Sequence, residues 1–180
     1  CWMSESKPSN KPLSGRIALV TGAAGTMGLA ATRALLEDGC RVAMVDVQAD
    51  RLTALADSLG ENALPFAFDI SDVQAASEGH ARIVQALGPV DVLVNNAGIL
   101  SNNKCEATDA AEWRRVLAVN LDGAFYLSQQ VVPGMKQRRW GRIVNTCSLA
   151  AKTGGLTAGT AYSGSKGALT SLTFSLAPEL

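Results

Sequence analysis

The sequence predicts an α/β domain, a doubly wound parallel sheet with helices on both faces, and three observations carry that expectation. Five short apolar runs alternate with segments of helical periodicity, and this alternation implies parallel strands joined by crossover helices. The fourth run, Val90 to Val94, is apolar at every position but Asp91, as suits a strand covered on both faces. Asp46, Asp69, Asn95 and Ser148 end or follow successive runs, so they gather at the carboxyl ends of the strands, where such sheets bind ligands.

The first strand, Ile17 to Val20, turns through Thr21-Gly22-Ala23-Ala24-Gly25-Thr26-Met27-Gly28 into a helix that continues with the helix formers of Leu29 to Leu36. Glycines let the backbone approach a ligand, and the unpaired N–H groups and dipole of a new helix favour a phosphate, so a dinucleotide is the natural guest. The glycines fall at 22, 25 and 28 rather than in the G-x-G-x-x-G spacing, which leaves a ligand-free structural turn as the alternative. Gly39 closes the helix, and a second strand from Cys40 to Val45 ends at Asp46. A helix over about 49–59 carries Leu52, Leu55 and Leu59 on one face; a third strand, Ala63 to Phe68, ends at Asp69, its Pro65 pointing to a sheet edge. A helix from about Ser71 to Leu87 leads to the fourth strand and to Asn95-Asn96-Ala97-Gly98. Residues 99–108 read as a loop, and Asp109 with Glu112 forms a capping-box signature for a long helix reaching about Pro133. Its apolar residues occupy more than one face, as in a helix buried or shared with a partner subunit. A fifth strand, Arg142 to Thr146, a glycine-rich loop and a helix from about Thr160 to the end complete the series.

With 180 residues, 47% of them hydrophobic, the chain can bury one real core. Sixteen basic and sixteen acidic residues balance, which argues against a nucleic acid or an anionic membrane as partner. Cys1, Cys40, Cys105 and Cys147 form no C-x-x-C pair, and His80 is the single histidine, so the expected protein is reduced, cytoplasmic and free of metal. No apolar run approaches the ~20 residues of a membrane span. Residues 1–12, with Pro8 and Pro12, read as a loose tail before a single domain over 13–180.

Tyr162 and Lys166 stand four apart on the last helix and share a face. An ammonium beside a phenol favours the phenolate, and such a tyrosine can exchange a proton near neutrality; the same spacing also arises by chance on helix surfaces. Thr21-Gly22 with Gly28, Asn95-Asn96-Ala97-Gly98, Asn120, Ser148 and Tyr162-Ser163-Gly164-Ser165-Lys166 follow the order and approximate spacing of the short-chain dehydrogenase/reductase family. The sequence resembles that family, in its ordinary branch, from about Leu13 to Leu180.

The resemblance implies a Rossmann-like sheet in the order 3-2-1-4-5 and an oxidoreductase that passes hydride between NAD and a secondary alcohol or ketone, acting as a dimer or tetramer. It implies that Tyr162 is the general acid/base, that Lys166 lowers its pKa and binds the nicotinamide ribose, and that Ser148 donates to the substrate oxygen, with Thr146 the competing hydroxyl. Asn120 would hold a proton-relaying water, or else be a satisfied core asparagine. Gly22, Gly25, Thr26, Met27, Gly28, Asp46, Asp69, Ile70, Asn96, Ala97 and Gly98 would line the cofactor together with Tyr162 and Lys166. Asp46, 18 residues beyond Gly28, suits the ribose hydroxyls of NAD and repels the 2′-phosphate of NADP. Thr26 stands where the family usually has its middle glycine. The family continues beyond the position of Leu180 with strands six and seven, a Pro-Gly loop and a substrate lid, so a domain lacking them is expected to bind NAD weakly and expose its fifth strand. A 3-oxoacyl-thioester reductase and a catalytically silent nucleotide-binding or assembly module are the alternative functions.

Overall fold

The computed structural model describes residues 11–179. Its single sheet holds β1 (Ile17–Thr21), β2 (Arg41–Asp46), β3 (Ala63–Ala67), β4 (Val92–Asn95) and β5 (Arg142–Asn145), all parallel and ordered β3-β2-β1-β4-β5. Leu19 lies between Ala43 of β2 and Leu93 of β4, so the first strand is the centre of the sheet. Pro65 sits on an edge strand, where a missing N–H costs least.

Alternation along the strands builds two cores. Ile17 and Leu19 of β1, Ala43 and Val45 of β2 and Leu93 of β4 pack on one face against α3 (Val73–Leu87) and α5 (Gly123–Arg138). Ala18, Val20, Val42, Met44, Val92 and Val94 face the other way, against α1 (Thr26–Glu37) and α2 (Ala49–Leu59). The crossover through α3 carries the chain from edge strand β3 past the centre to β4, so strand order reverses between β1 and β4. Connections leave those two strand ends in opposite directions, and a crevice opens between them.

Several boundaries differ from expectation. The first helix begins at Thr26, inside the glycine turn; β3 stops at Ala67, β4 runs Val92–Asn95, and β5 ends at Asn145. The long helix is three pieces: α4 (Ala110–Leu117), a π-helical turn over Ala118–Asp122, and α5. Pro133 does not end it. A proline inside a helix costs ~3 kcal/mol, and burial of Leu127, Val131 and Met135 along the same helix offsets that, carrying it on to Arg138. Closure comes at Arg139, in the left-handed region at φ 52°. Apolar residues of the long helix occupy more than one face, and the structure covers only part of them: Val116 and Leu127 are buried, whereas Trp113 and Phe125 are about 40% exposed. A 3₁₀ turn at Cys105–Ala107 and a short helix, α6 (Ala150–Thr153), lie in segments read as loop; α7 (Thr160–Leu176) is followed by a 3₁₀ turn at Ala177–Glu179. Of the expected tail, residues 1–10, with Cys1, lie outside the described residues, while Lys11 packs against Gly39.

Candidate active site

At the crevice, β1 and β4 are pinned by a buried hydroxyl. Thr21 Oγ1 accepts from the backbone N–H groups of Asn96 and Ala97, both at 3.0 Å, and Asn96 Nδ2 donates to the Thr21 carbonyl at 3.0 Å. Gly22 follows at φ 64°, and a Cβ there would stand 2.9 Å from Ala97 Cα, so only glycine permits this approach. A Cβ at Gly28 would run into the Gly22 carbonyl, which explains the glycine that packs α1 against the turn. Gly25 is the N-cap of α1 and offers no side-chain cap, leaving the first N–H groups of the helix to an outside acceptor.

The resulting cleft, about 620 Å³, is lined by Gly22, Gly25, Thr26 and Met27 on one wall. Asp46, Asp69 and Ile70 line the ends of β2 and β3, and Asn96, Ala97 and Gly98 the end of β4. The structure thus gathers ten of the sequence-predicted cofactor residues in one cavity. Gly28, Tyr162 and Lys166 are not in its lining; Gly28 is buried beneath the turn. Both carboxylates are held in place: Asp46 accepts from Ala24 N–H at 3.1 Å through Oδ2 and from Gln48 N–H at 3.1 Å through Oδ1. Asp69 Oδ1 accepts from the N–H and hydroxyl of Ser71 at 2.9 and 2.7 Å. Each oxygen of Asp46 has two acceptor sites, so the group can still receive a hydroxyl.

Gly98 joins this cleft to the last helix, since a Cβ built on it would lie 3.2 Å from Asn120 Oδ1 and 3.4 Å from Lys166 Nζ. Lys166 is 3% exposed and its ammonium donates to the Thr146 carbonyl at 2.7 Å. Burial pushes its pKa below the ordinary lysine value, and the neighbouring Cys147 works in the opposite direction. Its Nζ stands 6.0 Å from the centre of the half-buried Tyr162 ring. Asn120 is buried in the π-helical turn and its amide makes three hydrogen bonds: Oδ1 accepts from Ile99 N–H at 2.8 Å, while Nδ2 donates to the Ile99 carbonyl at 3.1 Å and Ser165 Oγ at 3.0 Å. Ser148 follows β5 and its Oγ accepts from Ala150 N–H at 3.2 Å, opening α6; Thr146 serves Lys166 through its backbone.

Asn145, at the end of β5, accepts from Asn95 Nδ2 at 2.8 Å and donates to Thr173 Oγ1 at 2.9 Å, which ties α7 to the two strands beneath it. Sequence reasoning missed this link, and also the Val45, Gln48, Phe68, Arg115 and Val119 contributions to the cleft. It read Glu112 as half of a capping box. Asp109 does accept from Glu112 N–H at 2.7 Å, but the Glu112 carboxylate instead receives Ser101 Oγ and Asn103 Nδ2. A partner on a distant loop leaves no local spacing signal.

Residues 16–180 match the family described as short chain dehydrogenase. The chain is 42% identical to nodulation protein G of Azospirillum brasilense, over 93% of this chain and 70% of that protein. It is 35% identical to a probable NADP-dependent dehydrogenase of Haemophilus influenzae, over 91% and 65%. To the 3-oxoacyl-[acyl-carrier-protein] reductase of Thermotoga maritima it is 34% identical, over 93% and 69%. The chain therefore spans about two thirds of the length of the curated relatives it matches.

Proposed function

The chain belongs to the short-chain dehydrogenase family, and from that premise we propose that it is an oxidoreductase acting between NAD(H) and a secondary alcohol or its ketone. The observation that carries this reading is the junction at Gly98, where the glycine-walled cleft meets the buried Lys166 ammonium. The residues fit a nicotinamide dinucleotide: the uncapped start of α1 suits a pyrophosphate, and Asp46 at the end of β2 suits ribose hydroxyls. When bound, the cofactor supplies the hydride acceptor or donor. Tyr162 exchanges the proton of the substrate oxygen, and Lys166, held by Thr146, keeps its ammonium beside the Tyr162 ring. Ser148 donates a hydrogen bond to that oxygen. Asn120 supports Lys166 through Ser165 and the backbone of Ile99.

NAD is the preferred cofactor, because the Asp46 carboxylate stands where a 2′-phosphate would come and no arginine lies in the glycine turn. The probable NADP dependence named for the Haemophilus relative makes this a property to be decided by residues of this chain. A 3-oxoacyl-thioester reductase is the second reading, favoured by the Thermotoga relative. We assign the chain one dinucleotide-binding domain over 13–180 behind a short tail, a cytoplasmic location and a homo-oligomeric state. Among the described residues no helix is long and apolar enough to cross a membrane.

The test is oxidation of a panel of secondary alcohols with NAD, and reduction of ketones and 3-oxoacyl thioesters with NADH, by the parent and by Tyr162→Phe. Loss of a general acid/base should lower turnover ~100-fold or more while NAD still binds. Near-parent turnover in Tyr162→Phe would reject the assignment, and NAD binding with no turnover on any substrate would favour a silent nucleotide-binding module.

A further inference from the structure

Two loops on the substrate side of the strand ends, one following β4 and one preceding α7, are joined by four hydrogen bonds. Gly159 N–H donates to the Ser101 carbonyl at 2.6 Å and Thr160 N–H to the Asn103 carbonyl at 3.0 Å. Lys104 Nζ donates to the carbonyls of Gly155 and Ala158 at 2.8 and 2.7 Å. Gly155, Ala158 and Gly159 are all buried, and a Cβ at Gly159 would lie 2.5 Å from the Asn103 oxygen and 2.7 Å from that of Ser101. The first loop is itself tied to α4, whose Glu112 carboxylate holds Ser101 and Asn103.

These contacts bear on α7 because its start lacks any side-chain cap. Gly159 is the N-cap and makes no side-chain hydrogen bond to the helix, so its own N–H and that of Thr160 depend on carbonyls of the facing loop. Ser163 Oγ in turn donates to the Gly159 carbonyl at 2.9 Å. Tyr162 stands two residues beyond the first residue of α7, within the turn whose order these bonds decide. An ammonium, with three donors and no acceptor, can hold two converging carbonyls together; a hydrophobic side chain cannot.

We propose that Lys104 is a positioning residue for Tyr162: its ammonium clasps the Gly155–Ala158 loop against the loop after β4 and thereby holds the first turn of α7 in register with Lys166. This rests on the dehydrogenase reading for the role of Tyr162, while the clasp itself is a property of the chain alone. Hydrogen bonds to a charged donor are worth ~10- to 100-fold in a local opening equilibrium.

The experiment compares the full chain with Lys104→Met and Lys104→Arg, by amide hydrogen exchange, NAD titration and turnover. In Lys104→Met, exchange at Gly159 to Ser163 should accelerate ~10-fold or more, with β1 and β4 unchanged, NAD affinity within about twofold of the parent, and kcat lowered without a matching rise in KM for NAD. Lys104→Arg should recover part of both the protection and kcat. Gly159→Ala, which pushes the loops apart from the other side, should loosen the same amides. Unchanged exchange over 159–163 in Lys104→Met, loosening spread evenly through the sheet, or loosening with parental kcat would each overturn the proposal. Absence of turnover in the parent would count against the dehydrogenase reading, and the exchange pattern would then decide the clasp by itself.

Discussion

Charge placed at a strand end or under a helix decides what individual residues of this chain can do. Asp46 holds the glycine turn through Ala24 and lines the cleft with a carboxylate whose Oδ2 still has acceptor capacity. Replacing it by alanine removes both the acceptor and the repulsion of a 2′-phosphate, so Asp46→Ala should narrow the preference for NAD over NADP in a binding titration; equal affinities in the parent would refute the preference itself. Lys166 makes a different prediction, on stability. Its pKa is lowered by burial, so the folded chain releases the proton before the unfolded chain does. Between that lowered value and the ordinary one near ~10.4, the unfolded state binds more protons and stability rises with pH. Urea midpoints from about pH 7 to 10 should therefore shift in favour of the parent relative to Lys166→Met as the pH increases; a flat difference, or one of opposite sign, would show that burial does not govern this ammonium.

Glycines and helix ends govern the elements. Gly28 is the third residue of α1, which starts at Thr26, and the Gly22 carbonyl occupies the space a methyl group would need. Gly28→Ala must push α1 off the end of β1, a backbone overpacking that costs ~1–3 kcal/mol and widens the turn facing the pyrophosphate. A lower urea midpoint together with weaker NAD binding is expected, and a variant with parental values of both would mean that the turn yields freely. Helix α5 shows the converse, a local rule overridden by packing: Pro133 reads as a stop, yet Val131 and Met135 on either side of it are buried against the sheet and hold the helix together. Local preference was legible in the sequence, and the compensation was not, because it comes from residues of β1, β2 and β4 brought beneath the helix only by folding.

For the molecule as a whole, strand order places the crevice at the centre and leaves β3 and β5 at the edges of the described sheet. On β5, Val144 is 51% exposed, and Phe174 on the neighbouring α7 is 75% exposed. An apolar edge with free backbone groups invites pairing. The chain should self-associate with rising concentration in sedimentation or light scattering, and Val144→Lys should reduce it; association untouched by that change would place the contact elsewhere. Alternating strand and helix patterns, with polar residues at the strand ends, were sufficient by themselves to determine the parallel sheet and the end of it where a ligand sits, while the strand order and the cleft residues came from the resemblance to the short-chain dehydrogenase/reductase family. Such information is local: an apolar run, a glycine turn and the rule that ligands sit at a switch point need no knowledge of partners. Tertiary structure alone decided that the Glu112 carboxylate serves Ser101 and Asn103 rather than its own helix, that the Asn120 amide bridges Ile99 and Ser165, that Lys166 is buried against Thr146, and that Lys104 spans to Gly155 and Ala158. Each of these contacts outside the capping turn joins groups that are 9 to 54 residues apart, and a side chain's choice among distant partners is made by the packing that brings them within reach.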